Sequence, residues 1–524
     1  MIAVRTLSLP NVIASHAILT PDAEAVICDS RRLTWRQLVD RINRVANALI
    51  AQGLRPGDKV ATLLNNSITQ LELILGTIAA RGVIVPLSEL MASESLAAML
   101  ENSEAGYLFA SAETRHRIEP VRSRLAGIEP RNFILVDETA PGWMAYDDWL
   151  QTFPSSPPAV DYRHDDPVSI LYTSGTTGMP KGMEHSHFSR LLYPLGLGPC
   201  LEIDHGARTI LTTPLYHNGT WTTMLPTLYC GGVVVIMKKF TASAFQDLVE
   251  RERCTHAFMV PTQLVVTTAD AGFRAQALES MRLIMVSGSP LTPHTFNEWR
   301  TRLPSLSLCE IYGMGEGFMT FVGPADYALG KAGSVGRPIA AVDTDIQILG
   351  DDDRPVAAGA IGEIVGTSAF LLTQYYRDPV RTQEALWHDE KGRPYLRSGD
   401  LGRYDEDGYL HVVGRKKDMM ISGGVKIYAV DLEDVFMQHP DVLEVAAIGI
   451  PHDKWGETPL LLAILRDGGT VSEGQLCDWG NDRLGKAQRV SRVEFRKSFP
   501  RNALEKILKR ELRAGYWRGL SRDI

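Results

Sequence analysis

Apolar residues recur along the first half of the chain with two alternating periods. Thr34 and Gln37 form a capping-box pattern, Leu38, Ile42, Val45, Ala46 and Leu49 follow at helical spacing, and Gly53 stops the run. Lys59 to Leu64 then reads as a strand, Ile68 to Ala80 as a helix and Val83 to Leu87 as a second strand. The rhythm returns downstream. Thr209 to Thr213, Val233 to Met237, His256 to Val260, Leu283 to Val286 and Leu306 to Ile311 are short apolar runs, and helical stretches such as Ala244 to Glu252 and His294 to Arg300 lie between several of them. Strand–helix alternation of this kind predicts an α/β fold built on doubly wound parallel sheets.

After about Gly330 the pattern changes to short strands and turn signals, as in Gly359-Ala-Ile-Gly362, Asp405-Glu-Asp-Gly408 and Ser422-Gly423-Gly424. This predicts a small β-rich subdomain followed by a compact α+β C-terminal piece. The charged run Arg415 to Asp418, after a strand-like Tyr409 to Val413, sets the expected boundary: a large N-terminal domain over 1–415 and a small, mobile C-terminal domain over 416–524.

A chain of 524 residues exceeds what one core usually supports, in keeping with two domains. Its 54 Lys and Arg against 62 Asp and Glu give a net charge of −8, which carries no electrostatic footprint for nucleic acid. The six cysteines form no CxxC pair, so neither a zinc ribbon nor a disulfide framework is indicated, and reduced thiols in a cytoplasmic protein are expected. Met1 to Pro10 has no long apolar core of a signal peptide, and Gly231 to Met237 is far too short to span a bilayer. Peripheral membrane contact and a homodimer stay open.

The segment Tyr172-Thr-Ser-Gly-Thr-Thr-Gly-Met-Pro-Lys181-Gly182 adds chemistry to this picture. It follows the apolar run Val168 to Leu171, so it leaves the end of a strand, where open α/β sheets bind ligands. Thr173, Ser174, Thr176 and Thr177 bring hydroxyls, Gly175 and Gly178 let backbone N–H groups approach an anion, and Lys181 brings positive charge. The loop departs from Walker A, because Pro180 precedes the lysine and Gly182 follows it. Taken alone, the segment also fits a flexible Ser/Gly/Thr turn. His185-Ser-His187 has no third ligand at a metal-site spacing and reads as the approach to the next helix.

From this loop onward, and over roughly Arg32 to Arg513, the sequence resembles the adenylate-forming superfamily of acyl-CoA synthetases, firefly-type luciferases and peptide-synthetase adenylation domains. The resemblance implies that two strand-end segments sandwich adenine: Ser287-Gly288-Ser289-Pro290, and Glu310-Ile311-Tyr312-Gly313-Met314-Gly315-Glu316, in which Tyr312 stacks on the base. It gives Glu316, with Thr176, to Mg²⁺, Asp400 to the ribose hydroxyls and Arg415 to the nucleotide. Lys417 falls on the family's hinge, Gly423 and Gly424 on the loop lining the pantetheine tunnel, and Lys506 on the catalytic lysine. For Tyr312 a core aromatic, and for Asp400 and Arg415 surface charges in turns, are the plainer readings of the residues alone. Two positions depart from the family pattern. Gly315 stands where the family has Thr, removing a hydroxyl and leaving more room near the acyl carbonyl, and Glu505 stands where Gly usually precedes the lysine.

The implied activity is an AMP-forming acid:CoA ligase that uses MgATP, a carboxylic acid and coenzyme A. His217, in Pro214-Leu-Tyr-His217-Asn-Gly-Thr-Trp221, matches a histidine near the carbonyl, and Trp221 matches the tryptophan gate of fatty acyl-CoA synthetases. Val260, Pro261, Met314, Phe318 and Met319 would complete a mostly apolar wall, and no Lys or Arg in these segments would pair a second carboxylate. A hydrophobic monocarboxylic acid is therefore expected, with a medium- or long-chain fatty acid first. Aryl or alicyclic acids, a carrier protein as thiol acceptor, and a degenerate acyl- or nucleotide-binding protein are the alternatives.

Overall fold

A computed structural model describes residues 6–150, 152–173, 181–486, 488–501 and 507–518. The chain divides into two compact units, one formed by Met1–Asp345 with Thr367–Pro394, the other by Ile346–Gly366 with Tyr395–Ile524.

Among the described residues, the first unit carries a nine-stranded and an eight-stranded sheet. In the larger, Arg208–Leu211, Val233–Ile236, His256–Met259, Leu283–Val286 and Ser307–Gly313 run parallel to their neighbours in matched register. The strand following Ser307–Gly313, Met319–Val322, folds back antiparallel, pairing Tyr312 with Thr320. In the smaller sheet, Lys59–Leu63 lies between Val83–Leu87 and Ala105–Ala110, all parallel. Pro167–Thr173 runs parallel to Val83–Leu87 and turns into the antiparallel Lys181–Ser186, on which Gln374–Tyr375 forms the edge.

The expected helices form for the expected reasons. Thr34 and Gln37 make the reciprocal capping box that starts Trp35–Ala51. Helix Ile68–Ala79 is apolar on nearly every side because it is covered on every side: it packs on Trp35–Ala51, on Val83–Leu87 of the smaller sheet and on Glu24–Cys28 of the larger. Just before it, Asn66 stitches the two sheets together. Its amide nitrogen donates to the carbonyls of Thr213 and Met237 at 3.0 Å each, and its oxygen accepts from the Leu215 amide at 2.8 Å. Asn66 is buried, and these three bonds satisfy groups that water cannot reach.

The second unit holds most of the β-rich part: Gly362–Thr367, Pro394–Tyr404 and Leu410–Arg415 are successive antiparallel neighbours, with Asp345–Leu349 beside Gly362–Thr367 at the edge. Beyond it, strands Val442–His452, Gly456–Leu465 and Arg492–Phe495 form a three-stranded sheet buried on both faces. Val445, Ala447, Leu461 and Ala463 meet Leu432, Phe436 and Leu476 of helices Ala429–Phe436 and Glu473–Asn481. Ala446, Ile448, Leu460 and Leu462 on the opposite face meet Phe499, Leu512 and Tyr516. No helix among the described residues is long and apolar enough to cross a membrane.

Gly480, inside helix Glu473–Asn481, faces the fully buried Phe436, and a Cβ there would run into that ring. Gly to Ala in an exposed helix gains up to about 1 kcal/mol. Here overpacking of about 1–3 kcal/mol should win. Gly480→Ala is expected to lower the urea midpoint; a raised midpoint would show that Phe436 can move aside.

Candidate active site

The parallel register lines up three strand ends in the first unit. Met259 pairs with Val286, and Val286 with Glu310, so Val260 and Ser287 leave their strands beside Ile311, which continues in its strand to Gly313. Ser287 Oγ donates to the Ile311 carbonyl at 2.7 Å, joining the two segments expected to enclose adenine. Gly288 and Ser289 are exposed at this edge, and Val260 lies against Gly288. Tyr312 is half-buried, its ring 6.4 Å from the fully buried Phe318 at 63°. Met314 is half-buried in the turn between them. Glu310 points elsewhere: its carboxylate accepts from Tyr327 Oη at 2.8 Å and from the Leu291 amide at 3.2 Å. Burial holds its carboxyl above the usual carboxylate range.

The strands that flank the candidate phosphate segment are antiparallel neighbours, and Thr173 pairs directly with Lys181. Ser174, Gly175, Thr176, Thr177 and Gly178 lie outside the described residues. Lys181 begins the return strand, with Nζ 5.5 Å from the centre of the Tyr375 ring. Tyr375 Oη donates to Glu316 Oε1 at 2.8 Å, and the Glu316 carbonyl accepts from the Leu372 amide at 2.7 Å. This Tyr375 link, which brings Glu316 to the hairpin, has no counterpart among the sequence expectations. Its only local sign is the Thr373-Gln374-Tyr375-Tyr376 run, which carries no chemistry until the strand pairs Tyr375 with Met183.

Gly315 precedes Glu316, and its carbonyl sits 2.8 Å from His185 Nε2. The room expected beside Gly315 is filled: a Cβ there would fall 2.7 Å from Met183 Cε, so the expectation of extra space near the acyl carbonyl is corrected. His185 Nδ1 lies 3.1 Å from Arg190 Nη2, and the Leu9 amide donates to His187 Nε2 at 3.0 Å, so both histidines of the His-Ser-His segment are engaged.

His217 precedes helix Asn218–Cys230, with its ring 4.5 Å from that of Tyr216 and its buried Nε2 without a hydrogen-bond partner. Trp221 is fully buried, and its indole N–H donates to the Leu215 carbonyl at 2.8 Å. The guanidinium of Arg190 lies over its ring at 4.8 Å. The apolar segments themselves contain no Lys or Arg. Arg190 comes from the helix after the hairpin, His187–Leu192, and reaches them only in the folded chain.

In the second unit, Asp400 and Arg415 face each other across paired strands, with Arg415 Nε 3.1 Å from Asp400 Oδ1. Lys417 is exposed in a short turn, and its carbonyl accepts from Arg513 Nη1 at 3.1 Å. Gly423 and Gly424 form the two-residue turn between Met420–Ser422 and Val425–Ile427, with φ of +57° and +85°. Both values are in the region that favours glycine. Lys506 lies outside the described residues.

Residues 14–376 match the AMP-binding enzyme family, and residues 431–506 match the AMP-binding enzyme C-terminal domain. The chain is 31% identical to the indoleacetate–CoA ligase of Aromatoleum aromaticum, covering 97% of this chain and 98% of that protein. It is 30% identical to the long-chain-fatty-acid–CoA ligase FadD13 of Mycobacterium tuberculosis, covering 96% and 98%. The ATP-bound crystal structure of MatB from Rhodopseudomonas palustris superposes with a TM-score of 0.87 at 26% identity, covering 98% of this chain and all of that one.

Burial holds His187, His217 and His256 at about 4, below the ordinary value of 6.5, and pushes His185 down as well. In the unfolded chain these rings take up protons near 6.5. Stability present above that pH is therefore lost as the pH falls through the window from 6.5 to about 4. The urea midpoint is expected to drop between about pH 7 and 5.5, before most carboxylates titrate. His217→Gln should reduce the drop, and a midpoint independent of pH would mean that the native rings take up protons as readily as those of the unfolded chain.

Proposed function

The chain belongs to the AMP-binding enzyme family, and from that premise we propose that it activates a hydrophobic monocarboxylic acid as an acyl-AMP and passes the acyl group to coenzyme A. Acid:CoA ligation is the chemistry named for its relatives, and the chain is an AMP-forming enzyme of that kind. The observation that carries the detailed reading is the junction at Tyr375, where a lysine at the foot of a Ser/Thr/Gly hairpin and an oriented carboxylate meet two parts of one residue: its ring and its hydroxyl.

A carboxylate is a poor electrophile because its leaving group would be oxide. Its oxygen attacks the α-phosphorus of ATP, the bond to pyrophosphate breaks, and the acid becomes a mixed anhydride. A thiol sulfur then attacks the acyl carbon and AMP leaves. In such transfers the protein chiefly positions groups and stabilises charge. Thr173, Lys181 and the hairpin hydroxyls would hold phosphate, Gly288, Ser289 and Ile311 to Gly313 the adenine, and Asp400 with Arg415 the ribose side. Mg²⁺, when bound, neutralises charge on the phosphates, and Glu316, a buried carboxylate fixed by a phenol, suits a hard cation that takes one or two carboxylates. Buried His217 stays neutral at physiological pH and would place an uncharged nitrogen beside the carbonyl.

The acid-binding wall would be Trp221, Val260, Met314 and Phe318, apolar side chains that are buried or half-buried. Arg190 is hydrogen-bonded to Ser169, His185 and Asn218, which fits an uncharged acyl chain better than a diacid. A medium- or long-chain fatty acid is the first choice. AMP release with MgATP, CoA and acids from acetate to palmitate, plus benzoate and cinnamate, tests this. Release requiring both acid and CoA, greatest with the longer alkyl acids, is expected; a preference for benzoate or cinnamate would move the substrate to aryl acids.

The C-terminal part is proposed to swing about Lys417 between half-reactions, with Lys506 serving the first and Gly423-Gly424 the second. Lys506→Ala is expected to lower acid-dependent ATP–pyrophosphate exchange by about 100-fold or more, as for loss of a charge-stabilising donor, while sparing thiolysis of supplied acyl-AMP. Lys417→Pro should do the reverse, because a fixed φ hinders the swing. Equal loss of both half-reactions in either variant would contradict the division of labour.

A further inference from the structure

Arg190 is 1% exposed, and among the described residues no carboxylate lies within ion-pair distance of it. Its Nε and Nη2 donate to Ser169 Oγ at 3.2 and 3.1 Å, and Nη1 donates to Asn218 Oδ1 at 2.6 Å. Nη2 also lies 3.1 Å from His185 Nδ1. A buried cation without a counter-ion is expensive, and the rings of Trp221 and Tyr193, 4.8 and 5.1 Å from the guanidinium, offset only part of that cost. Packing alone therefore gives no reason for an arginine here.

The hydrogen bonds give one. A guanidinium only donates, so His185 Nδ1 must accept, and the ring proton must sit on Nε2. That N–H points at the Gly315 carbonyl, 2.8 Å away. Gly315 is one of three glycines around Glu316, with Gly313 and Gly317, and it lacks a side chain that could anchor the backbone on that side. Glu316 itself is held from the other side, by the Leu372 amide and by Tyr375 Oη. His185 supplies the tether on the glycine side. The same guanidinium grips Asn218, the residue after His217, so Arg190 is bonded directly to the His217 segment and reaches the Gly315 segment through His185.

We propose that Arg190 is a positioning residue for acid adenylation: by fixing the proton of His185 on Nε2 it clamps the Gly315 carbonyl and thereby aims Glu316. The inference rests on the adenylation reading above. Arg190 touches neither substrate nor metal and acts through His185.

Three variants test it: Arg190→Met, His185→Phe and His185→Gln. Phenylalanine keeps the ring's bulk but neither hydrogen bond, and glutamine keeps a donor and an acceptor. Arg190→Met and His185→Phe are expected to lower kcat for acid-dependent ATP–pyrophosphate exchange by about 10- to 100-fold, the range for a misplaced catalytic group. KM for acid should change little, thiolysis of supplied acyl-AMP should persist, and backbone amides of residues 312–318 should exchange with deuterium faster than in the parent. His185→Gln should recover most of the rate. A His185→Phe variant with parental exchange kinetics and amide protection would overturn the proposal, as would a His185→Gln variant as impaired as the Phe one, since bulk and not the hydrogen bonds would then matter. If the parent shows no acid-dependent exchange with any acid, the adenylation reading fails. The amide-exchange comparison still decides whether the clamp exists.

Discussion

Parallel pairing of His256–Met259, Leu283–Val286 and Ser307–Gly313 in matched register is the constraint on which the candidate site depends. Once the backbone groups of these strands are satisfied laterally, the first two end beside Glu310 and Ile311 of the third, and the residues that follow them cannot avoid it. Val260, Gly288 and Ile311 meet because their strands are aligned, with Ser287 closing the gap through a side-chain hydrogen bond. The antiparallel return after Gly313 then turns Glu316 back under Phe370 to Leu372.

A second layer of order is polar and buried. Asn66 joins the ends of the two sheets and fixes the stretch from Thr213 to Leu215, immediately before His217. Arg190 connects Ser169, His185 and Asn218. Each of these groups is removed from water, so each bond left unmade would carry a desolvation penalty, and the arrangement is correspondingly specific. His217 differs from them in having a buried Nε2 without a hydrogen-bond partner.

The departure from the family pattern at Gly315 takes on a physical meaning in this setting. The glycine does not leave a void, because Met183, a flexible side chain suited to irregular gaps, occupies the volume a Cβ would need. It does not leave a loose loop either, because His185 holds its carbonyl. The glycine is accommodated by neighbours on the strand Lys181–Ser186, which links Glu316 to that strand through the fold as well as through Tyr375.

The sequence by itself determined the class of elements and the order of the motifs. The period of its apolar residues marks the strands and helices of the doubly wound sheets, the capping box at Thr34 is local, and the turn at Gly423-Gly424 needs only two residues that tolerate positive φ. These features are legible because the interactions that produce them lie within a few positions of one another. The partners of the site residues were not legible. Tyr375 reaches Glu316, Arg190 reaches Trp221 and Asn218, and Met183 fills the space at Gly315 across separations that no local pattern encodes. Glu310, placed in the nucleotide segment by its motif, turns its carboxylate to Tyr327 instead. Only the tertiary structure decides such contacts, because the direction of a side chain is set by strand register and by the packing of the next layer.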